Sequence, residues 1–285
     1  MSNLRDDQRP WDIAAARGLY NIDRWGASYF DINEAGHVVA KPQQEAGAVV
    51  DITDVVEEAK VRGLRFPLLI RFQDILRHRV ESVNRAFRNS IAEFDYGGSY
   101  RGVFPIKVNQ LREVVEEILD AGQSYQFGLE VGSKPELFAG LALQSQVGSL
   151  IICNGYKDHA YIRMALMGLK LGKTVILVVE KLEELSQILA VSQQMGVEPL
   201  IGIRSRLAAK GGGKWAESAG ENAKFGLNTT ELLAATDLLR ANNLSHCFKL
   251  LHFHIGSQVP DILTVKKAVQ EASRYYAKLV KAGFA

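Results

Sequence analysis

The chain of 285 residues has the composition of a folded protein, with 47% hydrophobic and 23% charged residues. Its acidic and basic residues nearly cancel to a net charge of +2 without long runs of one sign, which argues against a nucleic-acid-binding surface. Cys153 and Cys247 lie far apart, no stretch is long enough to span a bilayer, and the amino terminus lacks a secretory signal, so we expect a cytoplasmic protein with reduced thiols and no membrane contact.

The first part of the chain predicts a small β element followed by a helix. Residues 28–40 carry two short apolar runs around a turn-prone centre, which is typical of a β hairpin. Residues 73–93 then place apolar side chains at helical spacing. We therefore predict an amino-terminal segment, residues 1–72, whose hairpin belongs to a second β domain, and a separate domain over residues 73–285.

After Tyr100 the chain alternates short β-branched runs with amphipathic helices, which indicates repeated βα units and a parallel sheet. The strand candidates are GVFPIKVN, QFGLEV, SLIICNG, TVILVVE, PLIGIRSR and KLLHFHIG. Ser133 with Glu136, and Asn228 with Glu231, predict capping boxes on two of the helices. Such units build either a doubly wound sheet or a (β/α)8 barrel, and a barrel needs eight of them. We interpret the chain as an α/β barrel truncated after about six units.

Side chains able to do chemistry fall where the predicted strands end. In barrel enzymes the active site lies at the carboxyl ends of the strands. The residues concerned are Lys107, Glu130, Asn154, Arg204 and His254. Their common position predicts one functional site at that edge of the sheet.

Each of these residues also has a structural interpretation. The amine of Lys107 could form a Schiff base in a desolvated site, but an edge-strand lysine that reaches solvent would give the same pattern. Arg204 shares a strand face with Arg206 and predicts either an anionic partner or a salt bridge. Glu130 fits a carboxylate at a helix entry as well as an acid that orients a cofactor.

A turn of small residues follows His254. Gly256 and Ser257 let backbone N–H groups approach a phosphate, and the flat imidazole of His254 can stack on an aromatic cofactor. His252, earlier on the same strand face, fits a hydrogen-bonded core histidine better. The segment 209–215, AKGGGKW, lacks the Walker spacing and predicts a mobile loop rather than a nucleotide site.

Several stretches together resemble a known family, and the similarity runs from about Tyr20 to the end of the chain. They are YRGVFPIKVNQ, FGLEVGSKPEL, IICNGYKD, GIRSRLAAKGGGKWAESAGENAKFGL and HFHIGSQ. They are similar to the pyridoxal-phosphate-dependent decarboxylases of the alanine-racemase-like barrel fold, which act on ornithine, diaminopimelate or arginine. The similarity is greatest to the biosynthetic arginine decarboxylases of bacteria and plants.

The resemblance implies a reaction and its participants. These are conversion of the small-molecule substrate L-arginine to agmatine and CO₂ for polyamine synthesis, pyridoxal phosphate as cofactor, and a homo-oligomer with shared active sites. The resemblance also implies a magnesium requirement, although the sequence shows no ligand cluster for this ion and its metal site stays unknown.

The resemblance assigns roles to five residues. Lys107 corresponds to the lysine that forms the Schiff base with the cofactor, Glu130 to the acid after the second strand, and Arg204 to the arginine of the fifth strand. His254 corresponds to the histidine stacked on the pyridine ring and Ser257 to the serine that meets the phosphate. The family's glycine-rich phosphate loop and the acid that pairs with the pyridine nitrogen match no segment, so we expect the chain to be inactive alone.

Other functions stay open at this point. A decarboxylase for ornithine or diaminopimelate shares the fold, although the segment from KGGGKW to KFGL favours arginine. A non-catalytic regulatory relative would not need Lys107, His254 and Ser257 together. A racemase on the same barrel would need a catalytic tyrosine that the chain does not supply.

Overall fold

The computed structural model describes residues 11–207, 225–257 and 259–284. The chain divides into two compact units between Glu93 and Phe94. The domain boundary predicted between residues 72 and 73 lies one helix earlier and stays a prediction. The segment 209–215, predicted to be a mobile loop, lies outside the described residues.

The described part of the amino-terminal unit forms helices and a three-stranded antiparallel sheet. The helices are α1 (Ile13–Tyr20), α2 (Ile22–Trp25), α3 (Ile52–Val61) and α4 (Gln73–Glu93). The strands, paired in the order β1-β2-β3, are β1 (Phe30–Ile32), β2 (Val38–Ala40) and β3 (Val50–Asp51). The predicted hairpin and the helix over 73–93 are confirmed. The third strand has no counterpart in the prediction, because two residues are too few to show an alternation.

The second unit alternates strands and helices, as predicted. Its strands are β4 (Val103–Pro105), β5 (Gly128–Val131), β6 (Leu150–Cys153), β7 (Thr174–Val179), β8 (Leu200–Arg204) and β9 (Phe248–His252). Its helices are α5 (Arg112–Ala121), α6 (Lys134–Leu143), α7 (His159–Lys170), α8 (Leu182–Met195), α9 (Thr229–Ala241) and α10 (Ile262–Lys281).

The order of the strands distinguishes the two predicted architectures. All six strands are parallel and pair in sequence order, β4-β5-β6-β7-β8-β9. A doubly wound sheet reverses its strand order at a switch point, whereas the wall of a (β/α)8 barrel adds each new strand on the same side. The sheet is therefore the wall of a (β/α) barrel, as the sequence predicted.

Alternate residues of these strands face opposite sides of the sheet. One side packs against the connecting helices and holds the main apolar core, in which Leu129 and Leu177 are fully buried. Burying one such side chain contributes about 1.5–3 kcal/mol to stability. The other side, which we call the inner face, carries a smaller apolar cluster around Ile152, Ile176 and Val178.

Of the two predicted capping boxes, the one at α9 is formed as predicted and the one at α6 differs in one hydrogen bond. Asn228 and Glu231 form the predicted reciprocal capping box of α9. At α6, Ser133 accepts from the backbone N–H of Glu136, but the Glu136 carboxylate accepts from Gly132 instead of the capping residue. No described helix is both long and apolar enough to cross a membrane.

Candidate active site

Polar side chains continue the inner face to the carboxyl edge of the sheet. Glu130 of β5 is paired in register with Ile152, and Arg204 of β8 is level with His252 of β9. The polar residues reached in two-residue steps along this face are Glu130, Asn154, Glu180, Arg204 and His252. The period of the strands thus brings them to one edge, where barrel enzymes carry their active sites.

Asn154 holds the carboxylate of Glu130. Its Nδ2 donates a hydrogen bond to Glu130 Oε1 at 3.0 Å. Gly155 follows with a φ of 74°, and a Cβ atom on it would lie 2.2 Å from the carbonyl oxygen of Gly132, so this close approach of two strand ends requires glycine. The Glu130 carboxylate is thus bonded to the end of the neighbouring strand, while Ser133 supplies the cap of α6.

Arg204 forms a buried ion pair with Glu180, a partner that the sequence analysis did not name. Its Nη1 lies 2.6 Å from Glu180 Oε1, and the two side chains are 14% and 3% exposed. Gly226 packs against the pair, because its N–H donates to the carbonyl oxygen of Glu180 and a Cβ on it would lie 3.2 Å from Arg204. The salt-bridge alternative for Arg204 is therefore realised, and the guanidinium retains the capacity to donate to an anion as well.

Two further buried charges support Glu180. Glu184 Oε2 accepts from the backbone N–H of Glu180 at 2.8 Å and lies 3.4 Å from Lys157 Nζ. Lys157 also donates to the carbonyl oxygen of Gly155 at 2.7 Å, and its side chain is fully buried. These contacts join the end of β6 to the end of β7. The sequence carried a signal for Glu180. This residue is the last of the strand candidate TVILVVE, much as Glu130 is the last but one of the strand candidate QFGLEV.

The two histidines at β9 are uncharged near neutral pH. Burial, followed by the charges of Arg204 and His254, lowers the pKa of His252 to about 3. Burial, then the charges of Arg204 and Lys107, lowers the pKa of His254, while Glu180 acts in the opposite direction. The contribution of Lys107 places its amine within electrostatic reach of His254.

Lys107, His254 and Ser257 lie beyond the strand ends. β4 ends at Pro105, earlier than predicted, because the chain enters a short 3-10 turn in which Ile106 is buried in the core. Lys107 is consequently exposed and does not lie within the strand. His254 lies two residues past β9, and Ser257 lies on the exposed loop that follows.

The predicted site residues therefore lie at or just beyond the ends of five strands in one parallel sheet, at the same edge. Comparison with known proteins identifies the class of this site. Residues 80–285 match the family described as "Pyridoxal-dependent decarboxylase, pyridoxal binding domain". The chain belongs to this family. The carboxyl edge of this decarboxylase domain is thus the place to look for pyridoxal-binding residues.

Curated relatives and a solved structure agree with this assignment. The biosynthetic arginine decarboxylase of Thermosynechococcus vestitus is 47% identical over 96% of this chain and 43% of the relative. That of Bacteroides thetaiotaomicron is 48% identical over 97% of this chain and 44% of the relative. The crystal structure of the Campylobacter jejuni biosynthetic arginine decarboxylase superposes with a TM-score of 0.82 at 34% identity, covering 93% of this chain and 42% of that one. The chain thus spans about two fifths of their length.

The residues at the edge fit pyridoxal phosphate. Asn154 Oδ1 and His252 Nδ1 are buried and have no hydrogen-bond partner within the described ranges. A buried polar atom without a partner is unfavourable, so these atoms are suited to bind polar groups of a ligand. The cofactor offers an aldehyde for the Lys107 amine and an anionic phosphate for donors such as Ser257. The five roles carried over from the family stay predictions.

Proposed function

We propose that this chain takes part in the pyridoxal-phosphate-dependent decarboxylation of L-arginine to agmatine and CO₂, a step of polyamine biosynthesis. The observation that carries the proposal is the identity of 47% and 48%, over almost the whole chain, to two relatives named biosynthetic arginine decarboxylase. Because the chain corresponds to about two fifths of each relative, the proposal concerns the complete gene product.

Lys107 and His254 are the proposed catalytic residues. The Lys107 Nζ would hold the cofactor covalently, give way to the substrate amine and return to release the product. The neutral imidazole of His254 would stack against the pyridine ring without adding a positive charge to it. When bound, pyridoxal phosphate supplies the electron sink that takes up the electron pair left by CO₂.

The remaining predicted residues would orient the cofactor. Glu130, held by Asn154, and Arg204, held by Glu180, present an acid and a guanidinium from opposite parts of the wall. Ser257 would bind the phosphate. Fixed groups of this kind contribute to catalysis by holding the bond to be broken in one orientation to the ring.

The test is a comparison of substrates on the complete gene product loaded with pyridoxal phosphate. CO₂ release is measured from carboxyl-labelled L-arginine, L-ornithine and diaminopimelate, and we expect the highest kcat/KM for arginine. A higher kcat/KM for either other substrate would contradict the proposed substrate. A protein that binds the cofactor but releases no CO₂ from any of them would be a non-catalytic relative, and formation of D-arginine would identify a racemase.

Three further properties belong to the proposal. A homo-oligomer with shared active sites and a magnesium requirement follow from the family resemblance, and both can be measured on the complete gene product by light scattering and by chelation. A cytoplasmic location is supported by Cys153 and Cys247, both of which are buried free thiols.

A further inference from the structure

Three possible metal ligands meet at the opposite end of the sheet from the cofactor site. In the part of the chain that the structure describes, Glu198 precedes β8, and His246 and Cys247 immediately precede β9. Since β8 and β9 are neighbouring parallel strands, their amino ends lie side by side. The candidate cofactor residues lie at the carboxyl ends, so this cluster is separate from that site and does not depend on its function.

One nitrogen of His246 faces both of the other side chains. Its Nε2 lies 3.0 Å from Glu198 Oε2 and 3.5 Å from Cys247 Sγ, and the three atoms all lie within 4.8 Å of one another. An imidazole nitrogen either carries a hydrogen, which it can donate to the carboxylate, or accepts one from the thiol. His246 Nε2 therefore cannot form full hydrogen bonds with both Glu198 and Cys247. A single cation, in contrast, would accept a lone pair from each of the three side chains.

The two separations measured from His246 Nε2 fit a tetrahedral transition-metal ion. Bonds of about 2.0–2.1 Å to nitrogen or oxygen and about 2.3 Å to sulfur place neighbouring ligand atoms about 3.3–3.6 Å apart. The separations of 3.0 and 3.5 Å around His246 Nε2 are close to these values. A thiolate and an imidazole favour zinc-like ions, whereas magnesium prefers oxygen ligands. The cluster is therefore not a magnesium site.

The cluster combines a buried sulfur with an open side. Cys247 is 2% exposed, whereas the side chains of His246 and Glu198 are 57% and 69% exposed. A surface pocket opens beside it, lined by Arg240, Asn243, Ser245, His246 and Gly283. Arg240 is paired with Asp237, which offsets its charge. A cation and a water molecule can thus approach from solvent, and two anionic ligands would balance a divalent ion.

We propose that Glu198, His246 and Cys247 bind one divalent transition-metal ion of the zinc type, with water as the fourth ligand. The ion would clamp the amino ends of β8 and β9 together. Cys247 would bind as a thiolate, so formation of the metal–sulfur bond releases the thiol proton to solvent.

The first test measures zinc binding to the complete gene product by competition with a chromophoric chelator. Compared with wild type, Cys247→Ser and His246→Ala should each lose one equivalent of bound zinc, and Glu198→Gln should bind it at least ten-fold more weakly. The matched controls Cys153→Ser, His159→Ala and Glu183→Gln should keep it. Unchanged zinc content in Cys247→Ser and His246→Ala, or an equal loss in the controls, would overturn the proposal.

The second test does not depend on any variant folding. One equivalent of Co²⁺ is added to the metal-free wild-type protein after removal of the cofactor. We expect a thiolate-to-cobalt charge-transfer band together with the intense visible bands of tetrahedral cobalt. If only the weak bands of six-coordinate cobalt form, the three side chains are a surface ion pair beside a buried thiol and the metal site is wrong.

Discussion

At the scale of single residues, the chemistry of the carboxyl edge is set by which charges are buried there. Arg204 and Glu180 neutralise each other, and Lys157 and Glu184 form a second buried pair behind them. Burial, followed by the charge of Arg204, keeps His252 neutral. Breaking a buried pair leaves one charge without compensation, which is far less favourable than losing an exposed pair. Substitutions at this edge should therefore distinguish two groups of residues by their effects on turnover and on stability: residues that contact the cofactor, and residues that hold other side chains in position.

Loss of the Lys107 side chain is expected to abolish turnover without loss of the fold. Lys107→Ala removes an exposed side chain past a strand end, so the unfolding midpoint should stay close to wild type while kcat falls by at least about a thousand-fold. Borohydride reduction of the loaded wild type should fix the cofactor mass on the peptide containing Lys107. The exposed Lys170→Ala serves as control, and labelling of another lysine would contradict the assignment.

Glu180 is expected to act as a positioning residue through Arg204. Glu180→Ala leaves a mostly buried guanidinium without its carboxylate and should lower the free energy of unfolding by about 3 kcal/mol, measured by urea denaturation. Glu180→Gln keeps one hydrogen bond and should destabilise less, yet cofactor affinity, followed by absorbance titration, should still fall at least ten-fold. Glu183→Gln, on an exposed position nearby, is the control. Wild-type affinity in Glu180→Gln would exclude the positioning role.

Because of His252, the protein should become less stable as the pH is lowered below 6.5, the ordinary pKa of histidine. The folded protein holds this imidazole neutral with a pKa of about 3, so the unfolded chain binds the extra proton first as the pH drops through 6.5. The free energy of unfolding contributed by His252 is constant above pH 7 and should decrease by about 3 kcal/mol at pH 4. His252→Gln should show a correspondingly flatter profile between pH 6.5 and 4. Parallel profiles for the two proteins would argue against a buried neutral imidazole.

At the scale of elements, the start of a helix could be predicted from neighbouring residues, whereas the end of a strand depended on tertiary packing. The reciprocal contacts of Asn228 and Glu231 require only neighbouring residues, so a four-residue pattern predicted them correctly. The end of β4 was predicted too late because Ile106 turns into the core, and that contact involves residues distant in sequence.

The capping box of α9 gives a direct measurement of such a local signal. Asn228→Ala removes the acceptor for the Glu231 N–H, and we expect a loss of about 1 kcal/mol in the free energy of unfolding. Thr230, two residues further along the chain, is also exposed, and Thr230→Ala should change the free energy of unfolding by less than about 0.5 kcal/mol. Equal effects of the two substitutions would show that helix propensity, and not the cap, determines the stability of this helix start.

At the scale of the whole molecule, the sheet is a wall with two edges. Within the described chain, β4 pairs only with β5 and β9 only with β8. Unpaired edges and uncovered apolar faces recruit other chains.

Residues 1–285 prepared alone should consequently be poorly soluble and release no CO₂ from L-arginine, whatever amount of pyridoxal phosphate is added. The family resemblance places the phosphate loop and the acid for the pyridine nitrogen outside these residues. The measurement is a CO₂-release assay beside the complete gene product at equal molar concentration. Comparable specific activity would mean that the six units contain the whole site.

The sequence by itself determined the alternation of strands and helices, the capping box of α9 and the placement of Lys107, Glu130, Arg204 and His254 at the carboxyl edge of the sheet. These features depend on periods of two and 3.6 residues and on neighbours along the chain. The family was recognisable from motifs in the same way. Tertiary structure alone decided the sequential strand order, the pairing of Arg204 with Glu180 and the meeting of Glu198 with His246 and Cys247. These contacts join residues 24 to 48 positions apart, and only the register of neighbouring strands brings such residues together.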